Sequence, residues 1–335
     1  MQSTKKNIIL NKFFDIITRF VNKYGMYYLS VKKLPKLNGN VDVIVHDNIK
    51  IQSEDVAIII QGPIKCEENF TLNTVKLYKK IFSNSEIIVS TWTDQDQIQL
   101  KLLRELGVTV VESSPLDNRG SGNVNAQLLS SLKGFNSIKG DQIKYVLKTR
   151  SDQRIYYPGT LGYLKGLLNI LDNKDGNNRI ICVDNISNCL DRLPPFYIID
   201  YLYFGEKNQI ERLLNIPFNE CEYKDGFDLM KKLQLSSLPD AYEQCKYNIP
   251  PEYYITVMYL KSLGENGNFF DYEYFYECLK KYFIQISTQD IDLYWPKYYA
   301  KYNQPVSILK KDENVFHQTE NMNFQNYVNI INDFK

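Results

Sequence analysis

The chain of 335 residues holds only two histidines, His46 and His317, each in polar surroundings near one end. A Ser-His-Asp triad or a histidine-rich metal site has little to be built from, so acid–base work falls to carboxylates. Six cysteines stand at positions 66, 182, 189, 221, 245 and 278, with no Cys-x-x-Cys pair. Zinc ribbons and thioredoxin-like chemistry therefore lack support, and the spacing reads as reduced thiols. No Gly-x-Gly-x-x-Gly follows a strand and no Walker lysine motif occurs. Dinucleotide-dehydrogenase and P-loop readings both lose their signature. No run of 18 apolar residues is present, and the start lacks the apolar core of a secretory signal, so the expected location is cytoplasmic. A formal net charge of +1 removes any whole-chain case for nucleic-acid binding, while 44% hydrophobic and 24% charged residues are those of a globular protein.

What the chain does have is centred on Tyr145 to Tyr156. Tyr145, Val146 and Leu147 begin as a buried strand, and the segment then turns charged without Gly or Pro to end it. If extension persists, Lys148, Arg150, Asp152 and Arg154 point to one side. Three cations around one carboxylate suit an anion with a metal or a sugar. A strand emerging into a solvated loop would look the same.

Residues 5 to 24 carry a helical pattern, with Ile9, Phe13, Ile16, Ile17, Phe20 and Tyr24 on one face. In residues 1 to 36, seven Lys and one Arg stand against Asp15 alone, which leaves +7. Such a helix fits an anionic membrane surface, or its own domain with the cations solvated. Residues 1–50 are read as this helix and a linker, 51–290 as the core domain, and 291–335 as a Tyr- and Asn-rich appendage wrapped on it.

The core reads as alternating strands and helices. Val56 to Ile60, Glu86 to Ser90 and Val108 to Val111 are strands, separated by helices near 71–82 and 97–106. This order argues for an α/β fold with a parallel sheet and right-handed crossovers. Ligands bind beyond the carboxyl ends of such strands, which selects Gln61-Gly62-Pro63, Thr91-Trp92 and the loop from Ser113 to Gly122. Asn123, Asn125 and Gln127 lead a helix to about Phe135; they either cap it or present amides to a base or sugar. A later strand, Ile180 to Val183, ends on Asp184. Phe196 to Phe204 is apolar except for Asp200, and a lone carboxylate there is costly unless paired or poised for work. Pro250-Pro251-Glu252 opens a helix through Leu263, and Glu252 in its first turn has an ordinary structural explanation.

In this order, Gln61-Gly62-Pro63, Ser90-Thr91-Trp92, Asn123 to Gln127, Lys148 to Asp152 and Asp200 to Gly205 resemble the WavE lipopolysaccharide-synthesis family, over about residues 55 to 265. The resemblance departs at Ala126, where the family is expected to carry Arg in Asn-Arg-Gln; a phosphate contact there would fall to Arg119. It implies a GT-A-like, Rossmann-type, mostly parallel sheet flanked by helices. It also implies a transferase that takes a nucleotide-sugar donor. Asp152 would stand in the Asp-x-Asp position, although Ser151-Asp152-Gln153 supplies only one carboxylate. Either Asp152 holds Mg²⁺ or Mn²⁺ with the diphosphate and waters completing the shell, or Lys148, Arg150 or Arg154 neutralises the diphosphate.

The donor site implied thus comprises Gln61, Gly62, Pro63, Thr91, Trp92, Asn123, Asn125, Gln127, Lys148, Arg150 and Asp152. For the base that takes the acceptor proton, Asp200 is the first candidate, with Asp184 and Glu252 behind it. The implied acceptor is a lipopolysaccharide, lipooligosaccharide or capsular glycan, lipid-linked or growing. Two rival readings stand beside it: a phosphoryl or phosphoramidate transferase acting on surface polysaccharide, and a non-catalytic scaffold of a polysaccharide assembly complex.

Overall fold

A computed structural model describes residues 12–13, 16–24, 53–171, 179–183, 195–220 and 250–296. The chain divides into two compact units, Met1–Leu37 and Asn38–Lys335. In the first, the described residues are helical, and 16–24 form helix α1. Phe13, Ile16, Phe20 and Tyr24 are exposed, with the Phe20 and Tyr24 rings 5.2 Å apart.

The second unit is built on a seven-stranded sheet of order β3-β2-β1-β4-β7-β6-β8. Its first strand, β1 (Val56–Gln61), is buried along its whole length, as an unbroken Val-Ala-Ile-Ile-Ile run requires of a strand covered on both faces. Helix α2 (Phe70–Ile81) crosses to β2 (Glu86–Trp92), and α3 (Gln97–Glu105) to β3 (Thr109–Ser113). Helix α4 (Val124–Asn136) then crosses back to β4 (Tyr145–Arg150). Strands β1 to β4 are all parallel. Right-handed crossovers in opposite directions place α2 and α3 on one face and α4 on the other.

Beyond a short β5 (Arg154–Ile155) and helix α5 (Thr160–Leu171) comes β6 (Ile180–Val183). Strand β7 (Tyr203–Glu206) runs antiparallel between β4 and β6 and leads into α6 (Lys207–Leu214). Helix α7 (Pro251–Ser262), α8 (Tyr272–Tyr282), β8 (Phe283–Ile286) and β9 (Leu293–Tyr294) follow. Strand β8 extends the sheet parallel to β6, and β9 pairs with β5 in a separate two-stranded sheet. The mostly parallel sheet flanked by helices agrees with the expectation. Helix α8 and strand β8 are additions to it.

Helix α4 lies close on the sheet because Gly134 has no side chain. A Cβ there would come within 2.7 Å of Ile59 Cγ2 and 3.1 Å of Ser90 Cβ. Ser90 and Ser130 finish the contact: Ser90 Oγ donates to the Ser130 carbonyl at 2.6 Å, and Ser130 Oγ donates to the Ser90 carbonyl at 3.0 Å. This fixes which side chains face α4. Ser90, Gln61 and Arg150 share one register row, and Ile59 and Lys148 share another. With a period of two along each strand, all five lie on the α4 face.

The expected single charged face of 148–154 is corrected here. The strand ends at Arg150, a turn occupies 151–152, and Arg154 restarts as β5. Its guanidinium goes instead to α2, donating to Thr74 Oγ1 and the Phe70 carbonyl, both at 2.9 Å, and lies over the Phe70 ring. Arg154 is buried structure, not a phosphate contact.

Candidate active site

The carboxyl ends of β1 and β4 are tied together before any ligand is considered. Gly62 takes φ +119°, and a Cβ on it would stand 3.0 Å from Ser151 Oγ. Ser151 Oγ donates to the Pro63 carbonyl at 2.6 Å, and Thr71 Oγ1 donates to the Ser151 carbonyl at 2.9 Å. Gly62 and Pro63 thus shape the strand ends. Gln61 stands differently: its side chain is buried and Oε1 has no hydrogen-bond partner. An unsatisfied buried acceptor costs about 1–3 kcal/mol, so its presence at a strand end points to a ligand donor.

Beside it, Lys148 is 1% exposed and donates from Nζ to the Asp200 carbonyl at 2.6 Å. Burial lowers its pKa to about 8, although the Asp200 charge works in the other direction. The Asp200 side chain is buried too, and its Oδ2 accepts from Gln127 Nε2 at 2.9 Å. Glu252, at the start of α7, is pushed up to about 8, by burial first and then by the Asp200 charge. The Tyr197 hydroxyl lowers it only in part. Tyr203, opposite Lys148 on β7, is buried with its hydroxyl unpartnered. The result is a cluster of polar and ionisable side chains at the ends of β4 and β7: Lys148, Asp200, Gln127, Glu252 and Tyr203.

The charged end of β4 forms the other wall. Asp152 Oδ1 accepts from Arg150 Nε at 2.9 Å, while Oδ2 accepts from Arg150 Nη2 at 3.2 Å and from Trp295 Nε1 at 3.0 Å. Burial pushes the Asp152 carboxyl up, but these N–H donors and the Arg150 charge outweigh it and hold the group below its ordinary value. Arg150 lies over the Trp295 ring at 5.1 Å, and Tyr201 packs on the same ring at 4.9 Å.

Asp152 is the residue expected to hold Mg²⁺ or Mn²⁺, and its surroundings do not fit a metal. Both oxygens face N–H donors, and among the described residues no group of three His, Cys, Asp or Glu side chains converges. A hard cation needs several oxygen ligands and would sit against the guanidinium.

The remaining expected residues fall as follows. Trp92 is half-buried and shares the α4 face with Ser90, whereas Thr91 is fully buried on the opposite face, its Oγ1 unpartnered. Asn123 is exposed with φ +67° and makes no side-chain cap. Asn125 binds the protein at both ends of its amide: Nδ2 donates to the Asn219 carbonyl at 2.7 Å, and Oδ1 accepts from Asn219 N at 2.6 Å. Arg119 is exposed, and its carbonyl accepts from Asn125 N. Asp184 lies outside the described residues. Sequence reasoning missed Trp295, Tyr201 and Tyr203. The alternation Ile291, Leu293, Trp295 between polar neighbours was the available strand signal for the first.

A family model described as WavE lipopolysaccharide synthesis matches residues 56–245. Among solved structures, the chain is similar to 4-diphosphocytidyl-2C-methyl-D-erythritol synthase from Anaerococcus prevotii, at 12% identity and TM-score 0.33, covering 62% of this chain and 97% of that one. It is also similar to glucosyl-3-phosphoglycerate synthase from Mycobacterium tuberculosis in complex with Mg²⁺ and uridine-diphosphate, at 12% identity and TM-score 0.33, covering 64% and 72%. A third is a putative nucleotide-diphospho-sugar transferase from Desulfovibrio desulfuricans, at 14% identity and TM-score 0.30, covering 55% and 78%. None of the curated proteins compared with the chain matches it.

Proposed function

The chain belongs to the WavE lipopolysaccharide synthesis family, and on that premise we propose that it is a glycosyltransferase moving a sugar from a nucleotide-sugar donor to a surface-glycan acceptor. The observation that carries the reading is the contact of Lys148 with the Asp200 carbonyl beyond the parallel strands, with Gln127 on the Asp200 carboxylate. A transfer of this kind needs a cationic side for the departing diphosphate and a carboxylate for the acceptor proton. Lys148 and Arg150 are the first, and Asp200 is the second.

In the step proposed, the acceptor oxygen bonds to the anomeric carbon as the bond from that carbon to the diphosphate oxygen breaks. The electron pair leaves with the nucleoside diphosphate, and the acceptor proton passes to Asp200. Gln127 holds the carboxylate in place. Glu252, protonated beside it, keeps a second negative charge out of the pocket and is available as a hydrogen-bond donor to the sugar. Gln61 and Trp92 offer an acceptor and an aromatic face to the donor's base. Helix α1 fits a membrane-surface anchor by its apolar residues Ile16, Phe20 and Tyr24 and by the basic charge around it. That would bring the active unit to lipid-linked acceptors on the cytoplasmic side.

A thermal-shift screen of UDP-, GDP-, CMP- and dTDP-sugars tests the reading. A donor bound only by the native state raises stability by about 2.7 kcal/mol at a hundred times its Kd. One nucleotide class is expected to shift the midpoint, and the shift is expected to vanish in Lys148→Met. If no class shifts the protein and no sugar transfer accompanies acceptor glycans, the transferase reading is wrong.

A further inference from the structure

We infer that this site receives the donor's diphosphate on Arg150 and Lys148 in the role a divalent metal would fill, and that Asp152 and Trp295 are positioning residues for the Arg150 guanidinium. The inference rests on the transferase reading above.

Three observations carry it. The first is the direction of the groups around Asp152. A carboxylate that serves a metal offers its lone pairs to the cation, whereas here three N–H donors, two from Arg150 and one from Trp295, already point at its two oxygens. A carboxylate so engaged fixes a cation instead of recruiting one.

The second is how completely Arg150 is oriented. Asp152 takes the Nε and Nη2 edge, which sets the rotation of the guanidinium in its plane. The Trp295 ring lies under the guanidinium at 5.1 Å, and the Tyr201 ring packs on Trp295 at 4.9 Å. A planar fork held this way presents its geometry to phosphate oxygens without a further loss of side-chain freedom. Arg150 also ends β4 in register with Gln61, at the strand ends where a sheet of this kind takes its ligand.

The third is Lys148. It lies two residues earlier on the same face, buried, with its ammonium on the Asp200 carbonyl. A cation disfavoured by burial gains more from an arriving anion than a solvated one does, because the anion replaces the water it lost. Two fixed cations on one face of one strand match the two phosphates of a nucleoside diphosphate.

The test is calorimetric titration of the full chain with UDP, GDP and dTDP, once in EDTA and once in Mn²⁺. The nucleotide that binds is expected to do so with the same Kd, within about twofold, in both. Trp295→Phe keeps the ring and removes the donor to Asp152; it and Asp152→Asn are each expected to weaken the diphosphate by roughly tenfold, the usual scale for a supporting partner. The corresponding nucleoside without phosphates is expected to bind both variants as it binds the parent, which a general structural lesion would not allow. Binding that appears only with Mn²⁺, or that Trp295→Phe leaves intact, overturns the inference and keeps the transferase reading. Failure of all three nucleotides in both buffers overturns the transferase reading and this inference with it.

Discussion

Gln127 and Asp200 are 73 positions apart in sequence, and the Gln127 amide donates to the Asp200 carboxylate at 2.9 Å. The bond joins a helix on the sheet to the loop before β7. It leaves Asp200 as an oriented carboxylate beside the buried Lys148 ammonium.

Asp200→Asn is expected to fold normally, because its amide oxygen still accepts from Gln127 and its backbone carbonyl still accepts from Lys148. Turnover should fall by about 10²–10⁴, the usual contribution of a positioned base. The check is a rate for sugar transfer alongside an unchanged melting temperature; full turnover in a folded Asp200→Asn protein removes Asp200 from the chemistry.

The pH profile should fall through about pH 8, where both Glu252 and Lys148 lose their protons. Glu252 has its folded pKa raised above the usual carboxylate value. Between that value and about 8 the unfolded chain is ionised while the folded chain is not, so this group makes stability fall as pH rises across that window. Glu252→Gln removes that loss. Its melting temperature should exceed the parent's at pH 8 by more than at pH 5, and the falling limb of its activity should become shallower. Equal pH dependence in the two proteins would show that Glu252 is ionised in the folded state.

Gln61→Leu separates binding from stability. The substitution removes a buried acceptor that no protein group satisfies, so stability should hold or rise by about 1 kcal/mol. Nucleotide affinity should fall, since the acceptor facing the ligand is gone. Denaturation and titration of one preparation decide the matter, and a loss of stability with unchanged affinity would make Gln61 a structural residue.

Gly134→Ala tests the seat of α4. The added Cβ would meet Ile59 and Ser90, so the helix must lift or the sheet must yield, at about 1–3 kcal/mol. A urea midpoint unchanged from the parent would show that α4 has more room than its contacts indicate.

Much of this arrangement is legible in the chain. The Val-Ala-Ile-Ile-Ile run announces a strand covered on both faces, and the spacing of helices and strands announces the parallel sheet. Asp200 stands out as the lone carboxylate in an apolar run because burial without a partner is costly. What local pattern did not carry was direction after Arg150. Ser151 and Asp152 turn the chain without Gly or Pro, and that turn sends Arg154 to the far face. Nor did Asn125 reveal its partner, since a capping residue and a bridge to Asn219 look alike until the loops meet. Nothing near Asp152 in the sequence points to Trp295. The indole that engages it comes from 143 positions later, beyond the reach of any window of sequence.

That distance sets an order of assembly. The strands β1 to β4 and the helices between them are all made before residue 151, and the sheet can begin to form while the remainder is still being synthesised. Trp295 is delivered by β9, whose pairing with β5 is the last strand contact the described chain makes. A chain emerging from the ribosome therefore carries Arg150 and Asp152 for nearly half its length before the ring that packs on the guanidinium arrives. Competence comes late in synthesis, and a chain ended just before Trp295 would keep the strands of the large sheet but lack the ring of the clamp.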